Sequence, residues 1–354
     1  MNRVLNKLKH CCDISDSIWM KRKRKLDTFT LFSYLANVLV TGESLLMSKL
    51  KAGANVYNFQ SISAPAISKA RIKTKNIFRK IHDSMITKKR KRIYAVDGSK
   101  IQLFDSCVKG DFKPRDSTSK HPIGMISGVF DTVNKEIVSI NLSKHLNERK
   151  AILEQKHLFN EHTTVLFDRG YYSLELFTKL QLTGCRMLFR LKRDAFSQIK
   201  KMYSCKIPLS RIIYFKDVKI RVVKCFVGKR PYYFATNMFN STIDKLKSLY
   251  WKRWRIEEFY KSFKCVVNGK QWKTNRCELL EQEIYIRSII YNLSIQIKGC
   301  LGKNHLRNDI LVKGIVQCFV MILNGTLDEK TFIIIIVKNK TTKPTLSRQR
   351  IHNK

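Results

Sequence analysis

The segment TTVLFDRGYYSLELFTKL, residues 163–180, carries the pattern on which the fold prediction depends. Its first five residues are apolar or β-branched and predict a buried strand that ends at Asp168. Gly170 then marks a turn, and Ser173 is an N-cap residue for the helix that follows. An aspartate at the end of a buried strand is costly unless it is paired or coordinated, which makes Asp168 a candidate ligand. The plain alternative is a turn aspartate.

A second aspartate has similar surroundings. In RIYAVDGSKIQLF, residues 92–104, an apolar run leads to Asp97 and Gly98 and then to further strand residues. An Asp-Gly pair also suits a turn, so either aspartate taken alone favours a structural role. Two such carboxylates in one chain indicate ligands for a hard cation, because Mg²⁺ prefers oxygen atoms.

The elements around these two strands define the fold class. Residues 124–143, GMISGVFDTVNKEIVSINLS, predict a hairpin that turns near residues 132–135, and residues 147–159 predict a helix. Hairpin, helix and strand in this order predict an α/β fold, in which helices pack on a mixed sheet. Residues 185–240 contain further strand-like runs and predict a β-rich insertion.

A basic and aromatic segment follows the insertion: YWKRWRIEEFYKSFK, residues 250–264. If residues 244–266 form one helix, four side chains share a stripe about 60° wide. They are Tyr250, Arg253, Glu257 and Lys264. Glu258 points about 100° away from Glu257, so Glu257 is the acid aligned with the cations. It would either form an intrahelical salt bridge or complete a three-carboxylate metal site.

The N-terminal part of the chain reads as helical. Within SISAPAISKARIKTKNIFRKI, residues 61–81, Ser63 is an N-cap candidate with Pro65 in the first turn. A short helix, a turn and a second basic helix resemble a helix-turn-helix, with Lys69 and Arg71 as DNA contacts. An ordinary amphipathic helix with a solvated basic face is equally consistent with this pattern.

Composition narrows the class of partner. The chain of 354 residues has 69 Lys and Arg against 27 Asp and Glu, a formal net charge of +42. Such a basic chain is expected to bind a polyanion, most often nucleic acid, with an anionic membrane surface as the alternative. No apolar run reaches the roughly 18 residues of a membrane span. The ten cysteines contain no CxxC pair and are expected to be reduced, as in a cytoplasmic protein.

The four aligned residues also carry a family resemblance. The spacing of Tyr250, Arg253, Glu257 and Lys264 is similar to the YREK signature of bacterial insertion-sequence transposases of the DDE class. AVDGSK around Asp97 and FDRGYYS around Asp168 resemble the segments that contain the first two acids of that family, and SISAPAISKAR resembles its N-terminal DNA-binding helices. The catalytic domain of the family is ribonuclease H-like.

The resemblance implies a site and its partners. Three acids would be catalytic and would bind two Mg²⁺ ions, for which Mn²⁺ can substitute: Asp97, Asp168 and Glu257. Tyr250, Arg253 and Lys264 would position DNA phosphates. The expected partners are double-stranded DNA, as terminal inverted repeats and target, and a second copy of the chain in a paired-end complex. No membrane partner is expected, and the expected location is the bacterial cytoplasm, at the nucleoid.

Five regions follow from these observations. Residues 1–88 form a helical DNA-binding domain, 89–184 the first part of the catalytic core, 185–240 the β-rich insertion, 241–300 the second part of the core with the YREK helix, and 301–354 a C-terminal region with a basic tail. Three tryptophans would either stack on an unpaired base or pack in the core: Trp251, Trp254 and Trp272.

Two other functions stay open from the sequence alone. A nuclease of the same fold would cut DNA without joining it, and only a search for joined products separates the two. An inactive transposase remnant would bind its DNA ends without turnover, and intact acids do not exclude it.

Overall fold

A computed structural model gives the fold. It describes residues 2–20, 26–42, 62–87, 91–110, 112–114, 121–193, 206–215, 217–300 and 308–323, together with residues 195, 202 and 327. The basic run at residues 21–25, the apolar run at 332–337 and the C-terminal tail lie outside these ranges.

Four of the described α-helices precede the first strand, and four follow the last strand. The α-helices are α1 (Asn2–Trp19), α2 (Thr28–Thr41), α3 (Ala64–Lys73), α4 (Ile77–Met85), α5 (Glu148–Leu153), α6 (Leu174–Gln181), α7 (Ile243–Trp251), α8 (Trp254–Cys265), α9 (Leu280–Cys300) and α10 (Asn308–Leu323). The strands are β1 (Arg92–Gln102), β2 (Lys113–Pro114), β3 (Pro122–Asp131), β4 (Glu136–Ser143), β5 (Thr163–Phe167), β6 (Arg186–Arg190), β7 (Leu209–Phe215), β8 (Val218–Val227) and β9 (Arg230–Thr236).

All the described strands join one mixed sheet. Its order is β2-β3-β1-β5-β6-β9-β8-β7, and β4 pairs with β3. β5 pairs in parallel with both β1 and β6, whereas every other described pair is antiparallel. The predicted α/β class, a mixed sheet with flanking helices, is confirmed, and it is consistent with a ribonuclease H-like fold. The strands of residues 185–240 extend this sheet from β5, through the β5–β6 pair.

Alternate residues of β1 face two different cores. Tyr94 and Val96 pack with α5 and α6 on one side of the sheet. Ala95 points to the other side, where it joins a core that also contains residues of α8 and α9. Since side chains alternate along a strand, Asp97 shares the side of Ala95. The first acid is therefore directed toward the layer that contains α8.

The N-terminal helices are part of this second core. Leu8 of α1, Leu35 of α2 and Phe78 of α4 belong to the same buried cluster as Ile286 of α9. The expected boundary at residue 88 therefore does not coincide with a break in the hydrophobic core. We expect a separate N-terminal fragment to expose a large apolar face.

Local sequence signals located several turns and caps correctly. Ser63 caps α3 through the backbone N–H of Ala66, and Ser173 caps α6 through that of Leu176. The β3–β4 hairpin turns at residues 132–135, as predicted. The described cysteines have free thiols, and no described helix is long and apolar enough to cross a membrane.

Candidate active site

The two predicted aspartates come from neighbouring parallel strands: Asp97 lies within β1, and Asp168 directly follows β5. Ala95 of β1 pairs with Leu166 of β5. Extending this register by two residues sets Asp97 beside Asp168, which directly follows β5, and the charge of Asp168 acts on the Asp97 carboxyl. β1 continues beyond Asp97, and this residue pairs with Gly128 of β3. Asp97 is thus within the strand and not in the turn that an Asp-Gly pair would also allow.

The surroundings of Asp97 favour its protonated form. Burial raises the pKa of this carboxyl to about 7, against the opposing effects of the Gly98 backbone N–H, which donates a 2.9 Å hydrogen bond to Oδ1, and of Arg253. The negative charges of Glu148 and Asp168 raise the pKa further. Several acids close together in a half-buried position make a site that gains from a bound cation.

Tyr250 contacts the second acid directly. The single helix predicted around it is wrong, because α7 and α8 are separated by residues 252 and 253. The tyrosine is nevertheless buried, packs against Phe234 at 5.0 Å between ring centroids and donates a 3.1 Å hydrogen bond to Oδ1 of Asp168. The first residue of the four-residue signature therefore holds the carboxylate that follows β5.

Arg253 lies between Glu257 and the aspartates. Its Nη2 donates a 2.6 Å hydrogen bond to Glu257, and the guanidinium also attracts the charge of Asp168. The group is close to the faces of Tyr250 and Trp254, at 5.7 and 5.3 Å from their ring centroids. The side chain of Arg253 is only 3 % exposed, so its first role in this structure is that of a counterion for the acids.

The two adjacent glutamates of α8 have different neighbours, as the helical phasing predicted. Glu257 pairs with Arg253 and remains 41 % exposed. Glu258 is exposed and lies near Tyr291 and Lys298. Within the described ranges, no group of three or more His, Cys, Asp or Glu side chains is arranged to hold a metal ion. The structure thus brings Asp97, Asp168 and Arg253 together and links Glu257 to them through that arginine.

The other three residues predicted to contact DNA lie away from the two aspartates. Lys264 is half-buried in the last turn of α8, roughly 10 Å along the helix from Glu257. Lys69 is exposed on α3. Arg71, by contrast, is buried and forms a 3.0 Å ion pair with Glu283 of α9. Its guanidinium is engaged inside the protein, because α3 packs with this side against α9, and it is not presented to DNA.

Tyr260 is a positioning residue that sequence reasoning did not identify. Its hydroxyl lies 2.8 Å from the carbonyl oxygen of Asp97 and 3.1 Å from that of Ile126. Gly128 makes room for the hydroxyl, since a Cβ at this position would lie 2.8 Å from it. The residue therefore ties α8 to the backbone that presents the first acid.

Glu148 was also missed by sequence reasoning. It is the first residue of α5, directly after the N-cap Asn147. Burial and the charge of Asp168 raise the pKa of its carboxyl. An acid in the first turn of a helix is common, so nothing in the sequence distinguished this residue from a surface glutamate.

Residues 88–293 match the family model described as the transposase DDE domain. The search of curated proteins finds no match. Among solved structures, the chain is similar to piggyBac transposase in a synaptic complex with hairpin DNA, determined by cryo-EM. The TM-score is 0.50 at 10 % identity, over 98 % of this chain and 84 % of that one, a likeness that concerns the fold alone.

Proposed function

The chain belongs to the transposase DDE domain family, and on this premise we propose that it binds the ends of a bacterial insertion sequence and catalyses metal-dependent DNA cleavage and strand transfer. The observation that carries the proposal is the pair of neighbouring aspartates, Asp97 and Asp168, with the Tyr250 hydroxyl hydrogen-bonded to the second. They lie within the matched region, as do Arg253 and Glu257.

The residues fit a divalent cation. Asp97 and Asp168 offer carboxylate oxygens, which are the ligands that Mg²⁺ and Mn²⁺ prefer. Two bound ions would stabilise the attacking and leaving oxygens of a phosphodiester. The buried hydroxyl of Tyr171 lies near both aspartates and has no hydrogen-bond partner in the structure. An unsatisfied buried hydroxyl beside acids supports a site built for a ligand.

The protein's own side chains prepare this site. Tyr250 fixes the orientation of the Asp168 carboxylate, and Tyr260 fixes the backbone at Asp97. Arg253 offsets part of the negative charge and holds Glu257, the proposed third acid, through a charge-assisted hydrogen bond. We propose that Glu257 joins the aspartates once cation and DNA are bound.

DNA is the proposed partner. The net charge of +42 supports binding to a polyanion. Arg253 would contact a phosphate next to the acids once Glu257 has left it for the cation, and Lys264 would contact a phosphate roughly 10 Å further along α8. On α3, the exposed Lys69 is the candidate for contacts to the terminal inverted repeats. Arg71 is not proposed as a contact, because its side chain is buried. Trp254, which is exposed beside Arg253, is placed to stack on an unpaired base. Pairing of two ends would require a homodimer.

The test uses the full chain, because its N-terminal helices share a core with α9. A duplex with the element's inverted repeat and a labelled 3′ strand is incubated with Mg²⁺ and target DNA. We expect cleaved ends and joined products, and neither without the cation. Cleavage without joined products would favour a nuclease of the same fold. DNA binding without cleavage would favour an inactive transposase remnant.

A further inference from the structure

We propose that Glu148 is a fourth acid of the active site and that it moves with Asp97 and Asp168 into contact with a divalent cation when that cation binds; without it, the described acids are not arranged around a metal ion. The proposal rests on the metal-dependent function proposed above and adds a residue to it.

The position of Glu148 is defined by two glycines next to the aspartates. A Cβ built on Gly98 would lie 3.0 Å from Cγ of Glu148 and 3.2 Å from its Oε1. A Cβ built on Gly170 would lie 3.5 Å from its Oε2. Gly98 follows Asp97 directly, and Gly170 is in the turn after Asp168. The carboxylate of Glu148 is therefore close to both backbone segments that present the aspartates, and it approaches them from the α5 side of the sheet.

The start of α5 is anchored to the same turn. The side chain of Asn147 accepts hydrogen bonds from the backbone N–H groups of Arg149 and Lys150, at 3.0 and 3.3 Å. The guanidinium of Arg149 donates two hydrogen bonds to the carbonyl oxygen of Gly170, at 3.1 and 3.0 Å. Because these contacts fix the helix start against the turn, Glu148 is held toward the aspartates by its neighbours.

A second observation points to a ligand between these groups. Tyr171 is 1 % exposed, and its hydroxyl has no hydrogen-bond partner. The charges nearest to this hydroxyl include those of Glu148, Asp97 and Asp168. A buried hydroxyl without a partner costs about 1–3 kcal/mol. A cation-bound water between the carboxylates and the hydroxyl would satisfy it and would offset the repulsion among the acids.

The alternative is a purely structural role, in which Glu148 only stabilises the first turn of α5, where an acid is favourable. That role predicts a lower melting temperature without cation when the charge is removed, and no change in cation binding. The proposed role predicts the reverse, because the charge of Glu148 adds to the repulsion among the acids until a cation is bound.

The experiment measures binding of Mn²⁺ alone to the full-length protein, by the loss of the free-ion signal in electron paramagnetic resonance. Glu148→Gln should weaken Mn²⁺ binding at least ~10-fold and leave the cation-free melting temperature unchanged or higher. Tyr171→Phe should weaken binding less. Glu154→Gln, an exposed acid at the other end of α5, is the matched control and should change neither quantity.

Three other results would overturn the Glu148 assignment, and one of them would also overturn the proposed function. If Asp97→Asn weakens Mn²⁺ binding and Glu148→Gln does not, the Glu148 assignment is wrong while the proposed function stands. A lower cation-free melting temperature for Glu148→Gln also overturns it, in favour of the helix-stabilising role. If the unsubstituted protein neither binds Mn²⁺ nor cleaves DNA, the proposed function fails and the inference falls with it.

Discussion

The hydroxyl of Tyr250 lies 3.1 Å from Oδ1 of Asp168 and donates a hydrogen bond to it. This contact joins α7, which follows the β-rich residues 185–240, to the turn after β5. It means that the two halves of the proposed core meet at a carboxylate. Tyr250 is therefore expected to orient an acid in addition to any contact it makes with DNA.

Removal of this hydroxyl tests its positioning role. Tyr250→Phe should lower the free energy of unfolding by about 1 kcal/mol and reduce DNA cleavage about 10-fold, because one hydrogen bond of Asp168 is lost. Chemical denaturation and a single-turnover cleavage assay measure the two effects. Tyr214→Phe removes an exposed hydroxyl on β7 and serves as the control. Equal cleavage by both variants would exclude a role for the Tyr250 hydroxyl.

Loss of the buried counterion should affect stability and cleavage together. Arg253→Gln leaves the charges of Glu257 and the aspartates uncompensated, and we expect a loss of about 1.5–3 kcal/mol in unfolding free energy. Cleavage should fall more than in Lys252→Gln, a neighbouring half-buried cation. If both variants are equally stable and lose the same cleavage activity, then cleavage depends only on the total charge of the segment and not on the position of Arg253.

The raised pKa of Asp97 predicts how stability depends on pH. In the unfolded chain this carboxyl ionises near pH 3.8, and in the folded protein near pH 7. The folded state therefore binds more protons between these values, and stability is lost as the pH rises from about 4 to about 7. Asp97→Asn removes this penalty.

The difference in melting temperature between Asp97→Asn and the unsubstituted protein should thus increase over that pH range and stay constant above it, without divalent cations. Differential scanning fluorimetry measures it. Asp13→Asn replaces an exposed aspartate on α1 and is the matched control. A difference that is independent of pH would mean that Asp97 is not buried among acids as described.

Local features of the fold could be predicted from the sequence, whereas features that depend on tertiary packing could not. The strand before Asp168, its turn and the Ser173 cap were predicted because short-range signals specify them. The break between α7 and α8 was missed, since residues 244–266 contain neither Gly nor Pro and the break is only a local change to i→i−3 hydrogen bonds at residues with helical dihedrals. Glu148 was missed because its position depends on how α5 packs.

Arg71 shows the same limit for charged residues. Sequence spacing placed it on a basic helix face, but it forms ion-pair and hydrogen-bond contacts with Glu283 and Gln282 of α9. Since α9 is more than 200 positions away along the chain, no local pattern shows that this helix covers the arginine. Lys69, two residues earlier, remains exposed.

Lys69 and Arg71 of α3 should therefore behave differently. Arg71→Ala leaves Glu283 without one of its buried partners and should cost about 3–5 kcal/mol of unfolding free energy. Lys69→Ala should change stability by no more than about 0.5 kcal/mol and weaken binding to inverted-repeat DNA, more strongly at low salt. Denaturation and electrophoretic mobility shifts measure these effects. Stable Arg71→Ala protein with weakened DNA binding would instead make Arg71 a DNA contact.

The central claim is that Asp97, Asp168 and Glu257 perform one metal-dependent cleavage reaction. The most direct measurement compares their amide variants, Asp97→Asn, Asp168→Asn and Glu257→Gln, for binding and Mg²⁺-dependent cleavage of the same end DNA. Each variant should still bind the DNA, because the Lys and Arg side chains that contact phosphates are unchanged. Cleavage should fall by orders of magnitude. Glu258→Gln should remain active. Cleavage at the unsubstituted rate by all three amide variants would contradict the account, and loss of activity in Glu258→Gln but not in Glu257→Gln would show that the wrong glutamate was assigned.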